Sequence, residues 1–239
     1  MKQVKPVRLA YLFPREMSTY GDRGNVICLM KRMEWRGIRC ELLEFNPGDR
    51  LPKDIDLIFM GGGQDSGQRV IEESLKTLGP WLKDEVAAGT PGLMICGAYQ
   101  LLGEYFETQS GDRLDGIGIF DAYTVAGKDR LIGNIRIKSE IFGDLIGFEN
   151  HSGQTFLNQL HQALGMVRSG FGNNMGDSTE GIVSQHFIGT YLHGPLLPKN
   201  PNVADWLIAK AIGRTITELV HLPDQFIAQA RSIASGRPQ

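Results

Sequence analysis

The chain has 239 residues, of which 41% are hydrophobic and 22% are charged, with 25 basic against 27 acidic residues. This length is enough for one compact domain with a substantial core, and we expect a single domain over residues 1–239. A formal net charge of −2 gives no concentrated positive surface of the kind that binds nucleic acids or anionic membranes.

The apolar segments of the chain are too short for membrane insertion. None approaches the roughly 18 residues that span a bilayer, and the N-terminal segment returns to charged residues too early for a signal peptide. We therefore expect a cytoplasmic protein with neither a membrane segment nor a nucleic-acid partner.

The first half of the chain alternates short apolar runs with amphipathic segments, which is typical of β-α-β units that build a parallel sheet. Gly37 and Gly89 stand where helices commonly end in a left-handed residue. The pattern predicts strands over 7–13, 38–45, 54–60 and 91–96, and helices over 22–36 and 66–88.

From about residue 107 the sequence becomes rich in glycine and in short β-type runs, which predicts an antiparallel or mixed extension of the sheet. Two helices, over 202–213 and 223–234, are predicted to follow. The sequence thus predicts an α/β fold with a doubly wound sheet and a β-rich C-terminal half.

Cys96 is a candidate nucleophile. It lies where the strand 91–96 runs directly into a helix, and a side chain at such a turn stands above the sheet near the positive end of the helix. The local sequence leaves open the alternative that Cys96 is a buried structural cysteine. Cys28 and Cys40 lie in an apolar helix face and in a strand, which favours core positions.

A cysteine nucleophile needs a base, and the chain has five histidines. His193 ends a short strand before a glycine turn, at the edge where open α/β sheets bind ligands. His161 and His221 are expected on the surface, and His186 has no loop to present it. His151 is a candidate for contact with the substrate or the catalytic residues. No histidine pair has the spacing of metal ligands, so no metal is expected.

The glycine triplet of the segment MGGGQDSGQ directly follows a predicted strand. Such a loop allows close backbone approach to a ligand and can aim N–H groups at an anion, although a flexible β-α turn is the alternative. A dinucleotide fingerprint would need glycine at Ser66, and no G-x-x-x-x-G-K-[ST] phosphate loop occurs.

The chain combines a GGG loop, a C-x-x-x-Q turn one β-α unit later and a distant histidine. In this combination it resembles the class I glutamine amidotransferases of the cobyric acid synthase branch. More narrowly, the chain is similar to the glutaminase subunits of lipid II isoglutaminyl synthases. The resemblance implies a three-layer, flavodoxin-like doubly wound sheet. It is carried by YGDRGN (20–25), GGGQD (61–65), CGAYQLLG (96–103), GFENHSGQT (147–155), GFGNN (170–174) and GTYLHGPLLPKNP (189–201).

The resemblance also implies roles for individual residues. Cys96 would form a γ-glutamyl thioester with glutamine, and His193 would act first as base and then as acid. Backbone N–H groups of Gly62, Gly63 and Gly97 would form the oxyanion hole.

Two further positions match substrate-binding residues of the family. Gln100 would lie near the bound glutamine, and Arg130 would pair with the substrate carboxylate. For Arg130, a solvated turn residue in GKDR is the alternative interpretation.

One departure from the broader class concerns the third catalytic residue. The usual H-x-E sequence is absent, because Gly194 and Pro195 follow His193. Either Glu149 or a partner subunit would then supply the acid, and we favour the partner. Since the chain also lacks a phosphate loop, ATP and Mg²⁺ are expected on a Mur-ligase-like synthase subunit in a heterodimer.

Three alternatives remain open at this level. The chain could be a glutaminase that serves another acceptor, as in a cobyrinic acid synthase. It could be a cysteine hydrolase of the same architecture without an ammonia acceptor. It could also be a non-catalytic α/β binding module, although the joint presence of Cys96, His193 and the GGG loop argues against that.

Overall fold

A computed structural model describes residues 5–63, 65–159 and 162–235. The predicted elements of the first half are present, with strands shorter by one to three residues at their ends. Gly37 and Gly89 have φ angles of 68° and 84°, as the predicted helix ends require. The elements are β1 (Val7–Leu12), α1 (Arg23–Glu34), β2 (Cys40–Phe45), β3 (Leu57–Met60), α2 (Asp65–Ala88), β4 (Gly92–Ile95) and α3 (Gly97–Leu101).

The second half contains eight described strands and three described helices. Both predicted terminal helices are present, and they correspond to α5 and α6. The elements are β5 (Tyr105–Glu107), β6 (Arg113–Asp115), β7 (Ala122–Ser139), β8 (Gly143–Leu157), β9 (Gly165–Ser169), β10 (Thr179–Glu180), β11 (Ile182–Ser184), β12 (Phe187–Thr190), α4 (Leu196–Lys199), α5 (Pro201–Ala211) and α6 (Gln225–Ser235).

The first sheet has the strand order β11-β12-β4-β3-β1-β2 and is parallel except for the edge strand β11. Its central strands β3 and β4 are buried on both faces, which explains their continuous apolar sequences. The predicted α/β fold with a parallel sheet is confirmed. Strand β12 is the unexpected member, because it comes from the β-rich half of the chain and yet lies parallel beside β4.

The second sheet has the order β10-β9-β7-β5-β6, with β8 paired to β7. It is separate from the first sheet, so the β-rich segment extends the first sheet only through β11 and β12. Its centre is the long antiparallel hairpin of β7 and β8, in which a bulge between Ala126 and Leu131 shifts the register. Bulges of this type re-aim the side chains beside them, and Arg130 lies within this one.

An ion-pair cluster fastens the C-terminal helices to the first half of the fold. Arg32 on α1 has a side chain that is 2% exposed, and its guanidinium donates to both carboxylate oxygens of Asp205 on α5 at 2.7 and 2.8 Å. It also donates to both oxygens of Asp224, just before α6, at 2.8 Å. Arg36 adds a contact of 2.8 Å to Asp205. Two bidentate pairs therefore hold α1, α5 and the start of α6 together.

Arg32→Met should lower the free energy of unfolding by about 3–5 kcal/mol, because it leaves the partly buried Asp205 without its main counter-charge. Urea denaturation followed by circular dichroism measures this change. The control is the neighbouring Lys31→Met, whose pair with Glu34 is exposed and should change stability by less than about 1 kcal/mol. Equal effects of the two substitutions would contradict a structural role for the cluster.

Candidate active site

The site forms where two neighbouring parallel strands end. Ile95, the last residue of β4, pairs in register with Thr190, the last residue of β12. The backbone N–H of Cys96 donates to the carbonyl of Thr190 at 2.8 Å. Because parallel strands have their carboxyl ends at the same edge of the sheet, this pairing brings the segments of Cys96 and His193 to one place.

Cys96 occupies the strand-to-helix turn that the sequence predicts. Its φ and ψ angles are 51° and −104°, and α3 begins at the next residue. A positive φ at a non-glycine residue costs of the order of 1–3 kcal/mol, and such strain is concentrated at functional sites. The side chain is 8% exposed. Gly97 contributes the first amide of α3, which has no carbonyl partner within the helix.

His193 is fixed by the second sheet. Its backbone N–H donates to the carbonyl of Phe148 on β8 at 2.8 Å, and the N–H of Phe148 donates back at 3.3 Å. The glycine turn predicted after the histidine is present, since Gly194 has a φ of 84°. The residue is fully buried. The backbone of His193, three residues after β12 of the first sheet, is thus tied to β8 of the second sheet.

The carboxylate of Asp22 lies beside the imidazole of His193. The Oδ1 atom is 3.2 Å from Nδ1, and both side chains are fully buried. Burial lowers the pKa of His193, but the charge of Cys96 and the hydrogen bond that His193 donates to Asp22 raise it, and the balance brings the pKa to about 10. No described group forms a hydrogen bond with Nε2, the other ring nitrogen.

Glu149 does not take the place that the sequence suggests for it. Its two carboxylate oxygens accept the backbone N–H groups of Phe171 and Gly172, each at 2.8 Å. Burial raises its pKa, although these two bonds act in the opposite direction. The suggestion of Glu149 as the acid beside His193 is therefore wrong in this structure, since Asp22 occupies that position.

The glycine loop packs directly against His193. A Cβ atom at Gly62 would lie 3.0 Å from Cε1 of the imidazole, a contact tighter than most Cβ atoms make, so glycine favours this close approach. The N–H of Gly62 donates to Oδ2 of Asp22 at 2.7 Å. The prediction that Gly62 supplies an oxyanion donor thus requires correction, because its amide is committed to Asp22. Gly63 lies in the same loop, and Gln64 lies outside the described residues.

Gln100 belongs to a buried polar network on the first turn of α3. Its Nε2 donates to the hydroxyl of Tyr191 at 3.1 Å, and that hydroxyl lies 2.6 Å from Oγ1 of Thr155. The ring of Tyr191 stacks on His151 with a centroid distance of 3.6 Å. Burial and the charge of Cys96 raise the pKa of Tyr191. Gln100 is therefore bonded to a hydroxyl whose pKa responds to the charge of Cys96.

Arg130 lies at the exposed side of the site. Its Nε donates to Oδ1 of Asn150 at 2.6 Å, and its Nη2 donates to the hydroxyl of Tyr20 at 3.1 Å. The Tyr20 ring meets the imidazole of His193 edge-on, with 5.2 Å between the ring centroids. The Tyr20 side chain thus contacts both Arg130 and His193. It also lines a cleft of about 350 Å³ with Lys128.

The other histidines lie in separate environments. His151 is buried, and its pKa is lowered to about 3, mainly by desolvation, so it is neutral at physiological pH. Nδ1 of His186 is 2.8 Å from a backbone carbonyl at the end of α2, and His221 is exposed. His161 lies outside the described residues.

The two remaining cysteines are partly buried and pack against the core, as predicted. Burial raises the pKa of Cys28 to about 12 and that of Cys40 to about 11. Both thiols are therefore protonated at neutral pH and are poor nucleophiles.

The described residues offer neither a metal-binding cluster nor a membrane-spanning helix. Among them, no group of three histidine, cysteine or acidic side chains is arranged to hold a metal ion. None of the described helices combines the length and the apolar character needed to cross a bilayer.

Residues 8–201 match the family of CobB/CobQ-like glutamine amidotransferase domains. The chain belongs to this family. The resemblance seen in the sequence motifs is thus confirmed, and the site at the ends of β4 and β12 is the candidate active site of a glutamine amidotransferase.

Two relatives of this glutamine amidotransferase are described as "Lipid II isoglutaminyl synthase (glutamine-hydrolyzing) subunit GatD". The protein from Staphylococcus aureus strain N315 is 42% identical over 83% of this chain and 82% of its own length. The protein from Streptococcus pneumoniae strain R6 is 35% identical over 91% of this chain and 85% of its own length.

The solved structure of PurLQS from Thermotoga maritima supports the fold of the glutamine amidotransferase. One chain of it superimposes with a TM-score of 0.61 at 11% identity, over 86% of this chain and 98% of that chain.

The sequence analysis did not identify Asp22, Tyr20 or Asn150 as site residues. Tyr20 and Asp22 lie in the YGDRGN segment, and Asn150 lies in GFENHSGQT. Both segments contributed to the resemblance. Polar residues in these segments had no predicted role, and this was the signal that could have located the three site residues.

Proposed function

We propose that this chain hydrolyses glutamine through a thioester on Cys96 and delivers the ammonia to a Mur-ligase-like partner subunit. The partner would amidate the D-glutamate α-carboxyl of lipid II in peptidoglycan synthesis, in the cytoplasm. The observation that carries the proposal is the placement of Cys96, on a strained turn, next to the strand that leads to His193.

The chemistry begins with the thiol of Cys96. Nε2 of His193 takes the thiol proton before the attack, as its raised pKa favours, and the thiolate sulfur then attacks the side-chain amide carbon of glutamine. The imidazolium then donates that proton to the departing nitrogen, so that ammonia and a γ-glutamyl thioester are formed. Water, activated by the same imidazole, hydrolyses the thioester to glutamate and restores the thiol.

The negative charge that develops on the amide oxygen needs hydrogen-bond donors. The N–H of Gly97 follows the nucleophile directly and is suited to this role. Gly63 is the second candidate that the glycine loop offers, and the N–H of Gly62 donates to Asp22.

Arg130 would bind the α-carboxylate of glutamine. A guanidinium offers two parallel donors to a carboxylate, and its contacts with Asn150 and Tyr20 orient it toward the side of the site where His193 lies. Gln100, bonded to Tyr191 near Cys96, would face the bound substrate from the other side.

The partner and the acceptor are supported by the two relatives, whose names describe a glutamine-hydrolysing subunit of a synthase of isoglutaminyl lipid II. Amide formation from a carboxylate requires activation, and no phosphate loop occurs in this sequence. We therefore assign ATP and Mg²⁺ to the partner of a heterodimer. Release of ammonia is the part that this chain contributes.

The glutamine-analogue electrophile diazo-oxo-norleucine should label Cys96 in the wild-type chain, and Cys96→Ser should abolish both the adduct and glutamine hydrolysis. Peptide mass spectrometry locates the adduct. Cys28→Ser should be labelled like the wild type, because the pKa of Cys28 is raised by burial and this thiol takes no part in the reaction. If no adduct forms on Cys96 even when the partner is present, the enzymatic proposal is wrong.

Arg130→Lys should raise the KM for glutamine about 10- to 100-fold with little change in kcat, because a single ammonium replaces a bidentate donor. Steady-state assays of glutamate release measure both constants. Arg136→Lys is the matched control, since Arg136 is an exposed arginine on the same strand and should leave both constants unchanged. A loss confined to kcat would argue against carboxylate binding by Arg130.

The complex with the Mur-ligase-like subunit should amidate lipid II from glutamine and also from ammonium chloride. In the complex that carries Cys96→Ser, amidation from glutamine should be lost while amidation from ammonium persists, because only the supply of ammonia is removed. Mass spectrometry of the lipid product measures both. Amidation from glutamine by the Cys96→Ser complex would overturn the assigned division of labour.

A further inference from the structure

We infer that Glu180 is a positioning residue, whose buried carboxylate holds the end of β12 and thereby the segment that leads to His193. The inference rests on the proposed function, because it concerns the same reaction of Cys96 and His193. The described bonds of this carboxylate go to Thr190 and Tyr191 and not to the imidazole, so Glu180 acts through the backbone that it holds.

Glu180 lies where the chain crosses from one sheet to the other. It is the last residue of β10 in the second sheet, and β11 of the first sheet begins at Ile182. Gly181 between them has a φ of 62°, and a Cβ there would lie 2.6 Å from the carbonyl oxygen of Gly189 on β12. The crossing is therefore packed closely against β12. From there the fully buried side chain of Glu180 reaches the end of that strand.

One oxygen of the carboxylate holds two successive residues. Oε1 of Glu180 accepts the hydroxyl of Thr190, the last residue of β12, and the N–H of Tyr191 at 2.9 Å. The hydroxyl of Thr190 uses its hydrogen in this bond, so its lone pairs are available to the N–H of Leu192, which donates to it at 3.1 Å. Glu180 thus fixes the N–H of Tyr191 directly and that of Leu192 through Thr190.

The two residues before His193 are therefore suspended between two anchors. Glu180 holds one end of this segment, and the backbone pair of His193 with Phe148 holds the other. A displacement of a reacting group by about 1 Å can cost about 100-fold in rate. The phenol of Tyr191 has a support of its own, because Gln100 donates to it. Loss of the first anchor alone should therefore displace the imidazole only slightly, and the expected effect on the rate is smaller than 100-fold.

The surroundings of Glu180 separate a positioning role from a structural one. Burial raises its pKa from 4.5 to about 7, the charge of Glu149 on β8 acts in the same direction, and the bonds from Thr190 and Tyr191 oppose them. The phenols of Tyr99 and Tyr191, the other described titratable groups around it, have raised pKa values and are neutral. Because the folded chain binds this proton more tightly than the unfolded chain, its stabilisation is present below pH 4.5 and is lost as the pH rises through about 7. The ionised carboxylate therefore does not stabilise the fold.

Glu180→Gln should lower kcat for glutamine hydrolysis by the complex about 10-fold at about pH 8, with KM changed by less than about twofold. The amide oxygen still accepts both donors, but it lacks the charge that makes such bonds roughly twice as strong. At about pH 6 the wild-type carboxyl is itself largely protonated, so the kcat ratio of wild type to variant should fall below about threefold. Steady-state assays of glutamate release measure both constants, and the ratio at each pH removes the titrations of Cys96 and His193 that the two proteins share.

Thr179→Val is the matched control, because Thr179 is the neighbouring buried residue of β10 and its hydroxyl bonds to Asn173 and Asp177 within its own loop. It should give the same kcat ratio to wild type at both pH values. Thr190→Val removes the hydroxyl that Glu180 accepts and should reproduce most of the loss, whereas Thr190→Ser keeps the hydroxyl and should retain kcat. The double variant Glu180→Gln/Thr190→Val should lose little more than either single variant, since both break the same contact.

A purely structural role for Glu180 gives a different outcome. Urea denaturation at about pH 8 should show that Glu180→Gln is no less stable than the wild type, because a buried charge is removed. If the variant loses stability and activity together, or if the kcat ratio is the same at both pH values, the positioning role is wrong. Labelling of Cys96 by diazo-oxo-norleucine separates the two failures: absence of labelling in the wild type rejects the proposed function, whereas equal labelling rates in wild type and Glu180→Gln reject only the role of Glu180.

Discussion

The parallel pairing of β12 with β4 is the interaction on which the site depends. Cys96 follows β4 and His193 follows β12 by three residues, so the register Ile95–Thr190 brings the candidate nucleophile and the candidate base to the same edge of the sheet. The N–H of Cys96 bonds to the carbonyl of Thr190 at the last step of this ladder. Glu180 secures the other strand, since it accepts the hydroxyl of Thr190 and the N–H of Tyr191. A slip of one residue in this register would turn every side chain of β12 to the opposite face.

The second sheet holds the segment after β12, which carries His193. The bridge between Phe148 and His193 ties that segment to β8. Close contact is possible because Gly147 has no side chain: a Cβ there would lie 2.8 Å from Leu192. The long hairpin of β7 and β8 therefore acts as a support for the base. It also carries Arg130 and Asn150, so the residue proposed to bind the substrate carboxylate and the residue that holds His193 lie on the same hairpin.

The sequence predicted most of the first sheet because its signals are local. Strands β1 to β4 are predicted from their own apolar runs, and the ends of α1 and α2 are predicted from the glycines that follow them. The turn at Cys96 is predicted because a strand runs into a helix there without a loop. The parallel insertion of β12 could not be predicted in this way. Its neighbour β4 is about 90 residues earlier in the chain, and a short apolar run such as FIGT does not encode its direction.

The same limit applies to the site. Cys96 and His193 were found from residue type and position at strand ends, and the structure brings their segments together. Asp22 was missed because an aspartate before a helix is usually a cap, and only the folded chain shows that its carboxylate turns inward to His193 and Gly62. Gly62 was assigned to the oxyanion hole because a glycine loop after a strand exposes its amides, and no sequence pattern states which acceptor an amide takes.

The burial of the three groups explains why their arrangement is so constrained. Cys96, His193 and Asp22 are almost inaccessible to water, and an unpaired charge is costly in such surroundings. When the thiol is ionised, the imidazolium lies between two negative groups, and each charge has a neighbour of opposite sign. Arg130 lies outside this enclosure, where water screens its charge until a carboxylate binds. In the proposed function, substrate recognition by Arg130 and proton transfer by His193 are thus separated by depth, and Tyr20, which contacts both residues, lies between them.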